Sequence, residues 1–214
     1  MNTVKYRSLV KEDYEPIKHL IGEAFGFNEF ITDKKFLNSV LNFYLHSCIL
    51  GSSFSKVAEK DNKVIGVILG DSEKDKNRLK RFHNTISFAF NTLKLFITNK
   101  ENRENREFLK AFIQVQKTYK ELIQGKEDQF QGCIQLFIVS EQSRGLGVGK
   151  SLLNHLFQYI KKEDVTSLYL YTDNECNYEF YDRQNFERIQ EKAVNFGPKE
   201  EDFNVFLYRY TFNS

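Results

Sequence analysis

Between residues 133 and 160 the chain runs through CIQLFIV and SEQSRGLGVGK into a stretch carrying Leu152, Leu153, Leu156, Phe157 and Ile160. The continuous apolar run reads as a strand buried on both faces, and the apolar spacing beyond the glycines reads as an amphipathic helix. Three glycines at alternate positions, Gly145, Gly147 and Gly149, join the two. Glycine admits backbone conformations and close approaches that a Cβ forbids, and the free N–H groups and dipole of a helix start attract an anion. Three glycines within five residues also carry a conformational-entropy cost that calls for a compensating use. The segment is therefore expected to be a strand, a glycine loop and a helix that together cradle a phosphate or pyrophosphate.

Two nucleotide-binding patterns fail on this loop. The phosphate loop G-x-x-x-x-G-K-[ST] finds its ending in Gly149-Lys150-Ser151, but its first glycine falls on Arg144. The dinucleotide pattern G-x-G-x-x-G places Lys150 or Leu152 where its third glycine belongs.

The remaining elements follow from local patterning. Residues 3–10 alternate as a strand, and Asp13 with Pro16 opens a helix through Ile17, Leu20, Ile21 and Ala24. A second helix over about 32–49 is stopped by Gly51. SFSKVAEK and KVIGVILG flank Asp61-Asn62, a pair that tolerates positive φ and so predicts a tight antiparallel hairpin. From 71 to about 130 the chain becomes basic and polar and then helical, with Phe82, Ile86, Ala89, Leu93 and Phe96 on one stripe and Phe108, Phe112, Val115, Tyr119 and Leu122 on another. These stripes predict an antiparallel helical hairpin with a shared core. Without repeats or a Gly/Ser linker, the segment reads as an insertion in one domain spanning 1–214. SLYLYT, a short helix around 177–184, and the strands FERIQEKAV and FNVFLYRYTF complete the chain.

Composition sets the remaining bounds. Lys+Arg 31 against Asp+Glu 29 gives a net charge of +2 without a run of like charges, which argues against a nucleic-acid binder. The N-terminus lacks the apolar core of a signal peptide and the longest apolar runs are far short of a membrane span, so a cytoplasmic protein is expected. Cys48, Cys133 and Cys176 are too scattered for a disulfide framework and read as free thiols, and the four histidines have no metal-ligand spacing. No metal site is expected.

The loop Arg144-Gly145-Leu146-Gly147-Val148-Gly149 resembles the Q/R-x-x-G-x-G/A element of the Gcn5-related N-acetyltransferase (GNAT) family. A second motif stands at the matching distance. In TDNECNYEFYDRQNF, alignment of Tyr181 on the family's N-x-x-A-x-x-x-Y-x-x-x-G-F puts Asn174 on the asparagine, Asn177 on the small residue, and Asn185-Phe186 on G-F. Asn177 replaces alanine, and Asn185 replaces glycine with the residue that best tolerates a left-handed backbone. Glu141 stands where the family often has proline. The resemblance is strong over 131–212 and weak over 3–70, and it leaves the insertion outside. It implies a mixed α/β (α+β) fold with a mostly antiparallel central sheet of about six to seven strands flanked by helices, the insertion lying between the third and fourth strands.

The resemblance further implies acetyl-CoA as cosubstrate. Backbone groups of Phe137 and Val139 would hold its pantetheine arm, and N–H groups of Arg144, Gly145, Gly147, Gly149, Lys150 and Ser151 its pyrophosphate, with Asn174 also on the cofactor side. Transfer of acetyl from a thioester to an amine needs a neutral amine, a stabilised oxyanion and protonation of the sulfur. Tyr181 is the acid that the motif implies, and the same ring also reads as a packing aromatic. Some family members carry a glutamate on the strand before the glycine loop, where this chain has Gln135, which accepts no proton at neutral pH. Glu23, Glu29, His83 and Asp173 are candidate bases that sequence does not separate. The function expected is an N-acetyltransferase acting on a primary amine of a small molecule or peptide. Its alternative is a non-catalytic acyl-CoA-binding or regulatory module on the same fold. The insertion is expected to wall the acceptor side of the cleft.

Overall fold

Asp61 and Asn62 sit at φ 52° and 59°, so the two residues between β2 (Phe54–Lys60) and β3 (Lys63–Ser72) are both left-handed. That is the turn whose twist matches an antiparallel hairpin, as the residue pair predicted. Around this hairpin a computed structural model describes residues 3–75, 102–194, 196 and 203–212. β1 (Lys5–Arg7) pairs with β2, and it is shorter than the alternation over 3–10 suggested. Arg7 donates to both Asp13 oxygens at 2.6 and 2.7 Å while the Val10 N–H donates to Asp13 at 2.9 Å, which turns the chain out of the sheet. The guanidinium and these hydrogen bonds hold the Asp13 carboxyl below its usual range despite burial.

α1 (Tyr14–Ala24), a single turn α2 (Phe27–Phe30) and α3 (Lys34–Leu50) follow β1. Asp33 caps α3 by accepting from the Lys35 and Phe36 N–H groups. After β3 come α4 (Arg103–Ile123), β4 (Gly132–Val139), α5 (Val148–Lys162), β5 (Ser167–Asp173), α6 (Glu179–Arg183), β6 (Glu187–Val194) and β7 (Phe203–Thr211). The described strands form one sheet of seven in the order β1-β2-β3-β4-β5-β7-β6, antiparallel everywhere except between β4 and β5. This is the mixed, mostly antiparallel architecture expected, with α4 falling between the third and fourth strands. Among the described residues no helix is long and apolar enough to cross a membrane.

Each face of the sheet has its own core. On one, Leu152, Leu153, Leu156 and Ile160 of α5 meet Ala58, Ile68, Leu168, Leu170 and Phe206. On the other, α1 and α3 cover β2, β3 and β4, while α4 covers β5 and β7. The stripe on α4 does not wait for a partner helix. Phe108 and Phe112 meet Phe27, Phe36, Phe43 and Tyr44, and Val115, Tyr119 and Leu122 meet Val205, Leu207, Tyr169 and Tyr171. The helix expected to pair with it, Phe82 to Phe96, lies outside the described residues.

β4 is irregular where it matters. Leu69 pairs with Leu136 but Gly70 pairs with Ile134, so Gln135 is an extra residue opposite β3. Such a bulge bends its strand and increases its twist. Pairing between β4 and β5 is confined to Gly132 with Leu168 and Cys133 with Tyr169, immediately before the bulge. Beyond that point the two parallel strands diverge. Cys48, Cys133 and Cys176 are free thiols, and two of them brace the bulge. The Cys48 thiol donates to the Gln135 carbonyl at 3.5 Å and the Gln135 amide donates to Cys133 Sγ at 3.0 Å.

Gly132 stands at the vertex of this divergence. A Cβ there would lie 2.8 Å from the Asp71 carbonyl oxygen, a backbone atom held by the β3 pairing. Gly132→Ala is expected to lower stability by about 1–3 kcal/mol, the usual cost of overpacking, and to bring down the urea midpoint without changing the slope.

Candidate active site

The divergence of β4 from β5 opens a cleft of about 1050 Å³, bounded by the glycine loop, the start of α5, the turn after β5, and parts of α1 and α2. It is slightly larger than most small-ligand pockets. From Ile134 on β4 and Leu170 on β5 the facing edges of the two strands have no ladder partner in each other. Main-chain donors and acceptors therefore line the gap. Phe137 and Val139, the strand positions singled out in the sequence, both stand on its wall.

The glycine loop delivers a bare helix start to this gap. Gly145 and Gly147 have φ 80° and 76°, and Gly147 is the N-cap of α5 with no side chain capping it. A Cβ at either would meet nothing within 4 Å, so backbone conformation and not crowding demands glycine there. The leading N–H groups of α5 have no partner four residues back, and Val148, Gly149 and Lys150 line the cleft. Gly149 is different: a Cβ on it would touch Phe180 at 3.4 Å and Phe137 at 3.6 Å, where α6 closes on the loop. Arg144 also reaches the cleft, ion-paired at 3.1 Å with Glu141, so the position usually held by proline here carries a charge partner for the loop arginine.

Two of the residues singled out in the sequence stand outside the cleft lining. Ser151 is outside the cleft lining, and its N–H is spent on the Gly147 carbonyl at 3.0 Å, the first bond of α5. Asn174 is also outside it. Its side chain accepts from the Asn204 N–H at 2.8 Å and its own N–H donates to the Asn204 carbonyl at 3.1 Å, which ties the end of β5 to β7.

Tyr181 is on the wall, on α6, with its ring 6.3 Å from Phe137, 5.5 Å from Phe186 and 5.8 Å from Tyr208. Tyr208 donates to Asp182 at 2.8 Å and so anchors α6 to β7. Asn185 ends α6 at φ 62°, taking the left-handed conformation that its place in the motif required. Burial, then the neighbouring Cys176 and Asp173, push the Tyr181 phenol above its usual range, so it stays protonated at neutral pH.

The opposite wall was largely hidden in the sequence. Strand alternation puts Asp173 on the same face of β5 as Tyr169 and Tyr171, away from α5. Tyr119 of α4 stacks on Tyr171, ring centroids 4.3 Å apart and 10° from parallel. Tyr44 of α3 and Glu23 and Glu29 of α1 and α2 complete this side. Both tyrosines fall on the apolar stripes of their helices, and only their polar tips distinguish them from core positions. Asp173 is 8% exposed, and one of its oxygens accepts from the Glu175 N–H at 3.1 Å and the Cys176 N–H at 3.0 Å. Burial raises its carboxyl above the ordinary aspartate range, outweighing those hydrogen bonds. Burial pushes the Cys176 thiol to about 12, which leaves it a poor nucleophile at neutral pH. Glu23 faces His19 at 3.4 Å, and His83 is outside the described residues. Among the described residues no group of three or more His, Cys, Asp or Glu could hold a metal ion.

The sequence profile of the acetyltransferase (GNAT) family matches residues 15–186. The chain belongs to the GNAT family. The family uses acetyl-CoA as cosubstrate, and a bare helix start beside an unpaired strand edge suits its pyrophosphate and amide-bearing arm. No curated protein matches the sequence. Solved structures share the fold at low identity. Protein PH1933 from Pyrococcus horikoshii superposes with a TM-score of 0.59 at 15% identity, over 99% of this chain and 100% of that one. The ribosomal-protein-S18-alanine N-acetyltransferase of Escherichia coli gives 0.55 at 12%, over 99% and 94%. Arabidopsis thaliana Naa50, in complex with the bisubstrate analogue CoA-Ac-MVNAL, gives 0.51 at 17%, over 98% and 99%.

The Asp173 environment sets a stability test. A carboxyl raised in the folded state favours folding below its unfolded value of about 3.9 and loses that contribution as pH rises through the folded one. Asp173→Asn keeps an oxygen for the Glu175 and Cys176 N–H groups and removes the buried charge. The variant is expected to melt above the parent at pH 7, with the difference vanishing as pH falls towards 4, as followed by thermal unfolding.

Proposed function

We propose that this GNAT protein is an acetyl-CoA-dependent N-acetyltransferase of the cytoplasm, acting on a primary amine of a small molecule or peptide and working as a single domain. The observation that carries the reading is the uncapped start of α5, opening onto the gap that β4 leaves when it parts from β5. The leading α5 N–H groups and the nearby Lys150 charge would hold the pyrophosphate, with Arg144 at the loop entrance. Free main-chain groups from Phe137 to Val139 would hold the arm and steady the carbonyl oxygen as negative charge develops on it. Acetyl-CoA supplies the activated acyl group. Tyr181 gives a proton to the departing sulfur, and its position between Phe137, Phe186 and Tyr208 holds the ring in place. Among the structures that share the fold, one is a ribosomal-protein-S18-alanine N-acetyltransferase and another is in complex with the bisubstrate analogue CoA-Ac-MVNAL, so a peptide amine is within the proposed range.

Acetyl-CoA or CoA at a hundredfold excess over its Kd is expected to stabilise the protein by about 2.7 kcal/mol, and ATP with Mg²⁺ is expected to do nothing. Gly149→Glu tests the loop more cleanly than a change at Gly147, because Gly147 carries a positive φ that any side chain would strain. The variant should fold and lose the CoA-induced rise in melting temperature. Thiol release from acetyl-CoA across an amine panel separates an enzyme from a binding module, since a module would bind without turnover.

Tyr181→Phe keeps the packed ring and removes the proton donor. General acid catalysis typically contributes about 10² to 10⁴ in rate. Burial makes this phenol a weaker acid, and a thiolate can depart unaided, so a loss of about tenfold to a hundredfold in kcat is expected, with CoA affinity unchanged. Full kcat in the variant, with chemistry rate-limiting, would return Tyr181 to a packing role.

A further inference from the structure

The face of the cleft opposite α5 carries a buried carboxylate that the reading above does not use. Asp173 ends β5, and the groups facing it come from every element packed there: Tyr44 from α3, Tyr119 from α4, Tyr181 from α6, and Glu175 and Cys176 from its own turn. None of these is a cation. One carboxylate oxygen accepts from the Glu175 and Cys176 N–H groups and the Cys176 thiol also hydrogen-bonds the carboxyl, which together set its orientation. Tyr119 is itself fixed by its stack on Tyr171 and by Leu122 beside it in the core with Val205 and Leu207. An anionic group at the floor of an aromatic enclosure is complementary to a primary ammonium, which gains from both the charge and the ring faces. The remaining carboxylates of the cleft serve less well. Glu29 and Glu175 are exposed, and Glu23, half exposed, faces His19.

We propose that Asp173, walled by Tyr44, Tyr119 and Tyr171, seats the ammonium of the acceptor and takes its proton, and that the acceptor is an alkylamine such as a diamine or a lysine side chain. The inference rests on the acetyltransferase reading. An alkylammonium holds its proton to about pH 10.4, whereas a chain-terminal amine is partly free at neutral pH and needs a base far less. The protons balance. The ammonium gives one to Asp173 and its nitrogen lone pair forms the bond to the acetyl carbon. The carbon–sulfur bond breaks, sulfur leaves with its electron pair and receives the Tyr181 proton, and the second nitrogen proton restores the phenol. Asp173 then returns its proton to solvent. The raised carboxyl of Asp173 brings its proton affinity closer to that of the amine, which favours the first transfer.

The test measures thiol release with 1,5-diaminopentane, with Nα-acetyl-lysine methylamide, and with a pentapeptide whose only amine is its N-terminus. CoA affinity is measured by calorimetry in parallel. Asp173→Asn is expected to lower kcat/KM for the two alkylamines at pH 7 by a hundredfold or more. Its CoA affinity should stay within twofold, and activity should partly return as pH rises towards 10, where the amine sheds its own proton. Tyr119→Leu leaves Asp173 and its turn in place and is expected to raise the alkylamine KM about tenfold with kcat little changed. This second variant decides the matter should Asp173→Asn not fold. Parent-like kcat/KM and pH profile in a folded Asp173→Asn protein, or unchanged KM in Tyr119→Leu, overturns the assignment while the acetyltransferase reading stands. Turnover of the pentapeptide alone overturns the acceptor class. Parent protein that releases no thiol with any amine, or binds no CoA, sinks the acetyltransferase reading and this inference with it.

Discussion

The extra residue in β4 is the constraint on which the rest of the molecule depends. Were Gln135 in register with β3, β4 would continue straight alongside β5, and a fully paired parallel ladder would leave no gap. The bulge forces the strand to bend just where the β4–β5 ladder ends, after Cys133 and Tyr169. Two unpaired strand edges in a sheet interior are costly unless something satisfies them. The chain accepts that cost because α5 and α4 cover the two faces around the gap, so the sheet is held together by packing where hydrogen bonding is withheld. Cys48 and Cys133 then do a job that no disulfide or metal pattern would have suggested, since their sulfurs hydrogen-bond the carbonyl and the side chain of the bulged residue. Burial keeps both thiols protonated, with values pushed to about 12.

The same opening explains why the helix start can stay uncapped. A helix N-terminus buried without partners is unfavourable, and most such ends recruit Ser, Thr, Asp or Asn. Here the N-cap is Gly147 in a left-handed conformation, and the three residues that follow line the gap. Asp33 at the start of α3 caps conventionally, its side chain accepting from the Lys35 and Phe36 N–H groups. What distinguishes the α5 start is its place: the residues that open it line the cleft.

What was legible in the sequence was local. The Asp61-Asn62 turn, the glycine loop and the left-handed Asn185 each follow from residue types whose backbone preferences act within a few positions. The bulge left no trace, because CIQLFIV reads equally well in either register and only pairing with β3 shows that Gln135 is the odd residue. Motif alignment gave no sign that the Asn174 side chain accepts from the Asn204 N–H, because that partner lies thirty residues on in β7. Ser151 was counted as a free donor because sequence marks where a helix starts more loosely than structure does: with Gly147 as N-cap, its N–H is already inside the ladder. Tyr44 and Tyr119 were invisible for a different reason. An amphipathic stripe reports which side of a helix is covered, and a residue covered by a cleft wall has the same spacing as one covered by core.

That ambiguity is itself informative about the insertion. α4 supplies the apolar cover that β5 and β7 need on the face away from α5, through Val115 and Leu122, and the same turn of helix carries Tyr119 to the cleft. Its other half grips α2 and α3 through Phe108 and Phe112. One rigid helix thus spans from the α1–α3 layer to the far half of the sheet, crossing the mouth of the gap between them. Core packing and one wall of the cleft are consequently written on a single stripe. A substitution at Val115 or Leu122 that loosens the packing also displaces Tyr119, whereas one at Tyr119 that keeps its bulk leaves the packing intact. α4 is therefore a structural wall first, and the position of Tyr119 follows from where that wall has to stand.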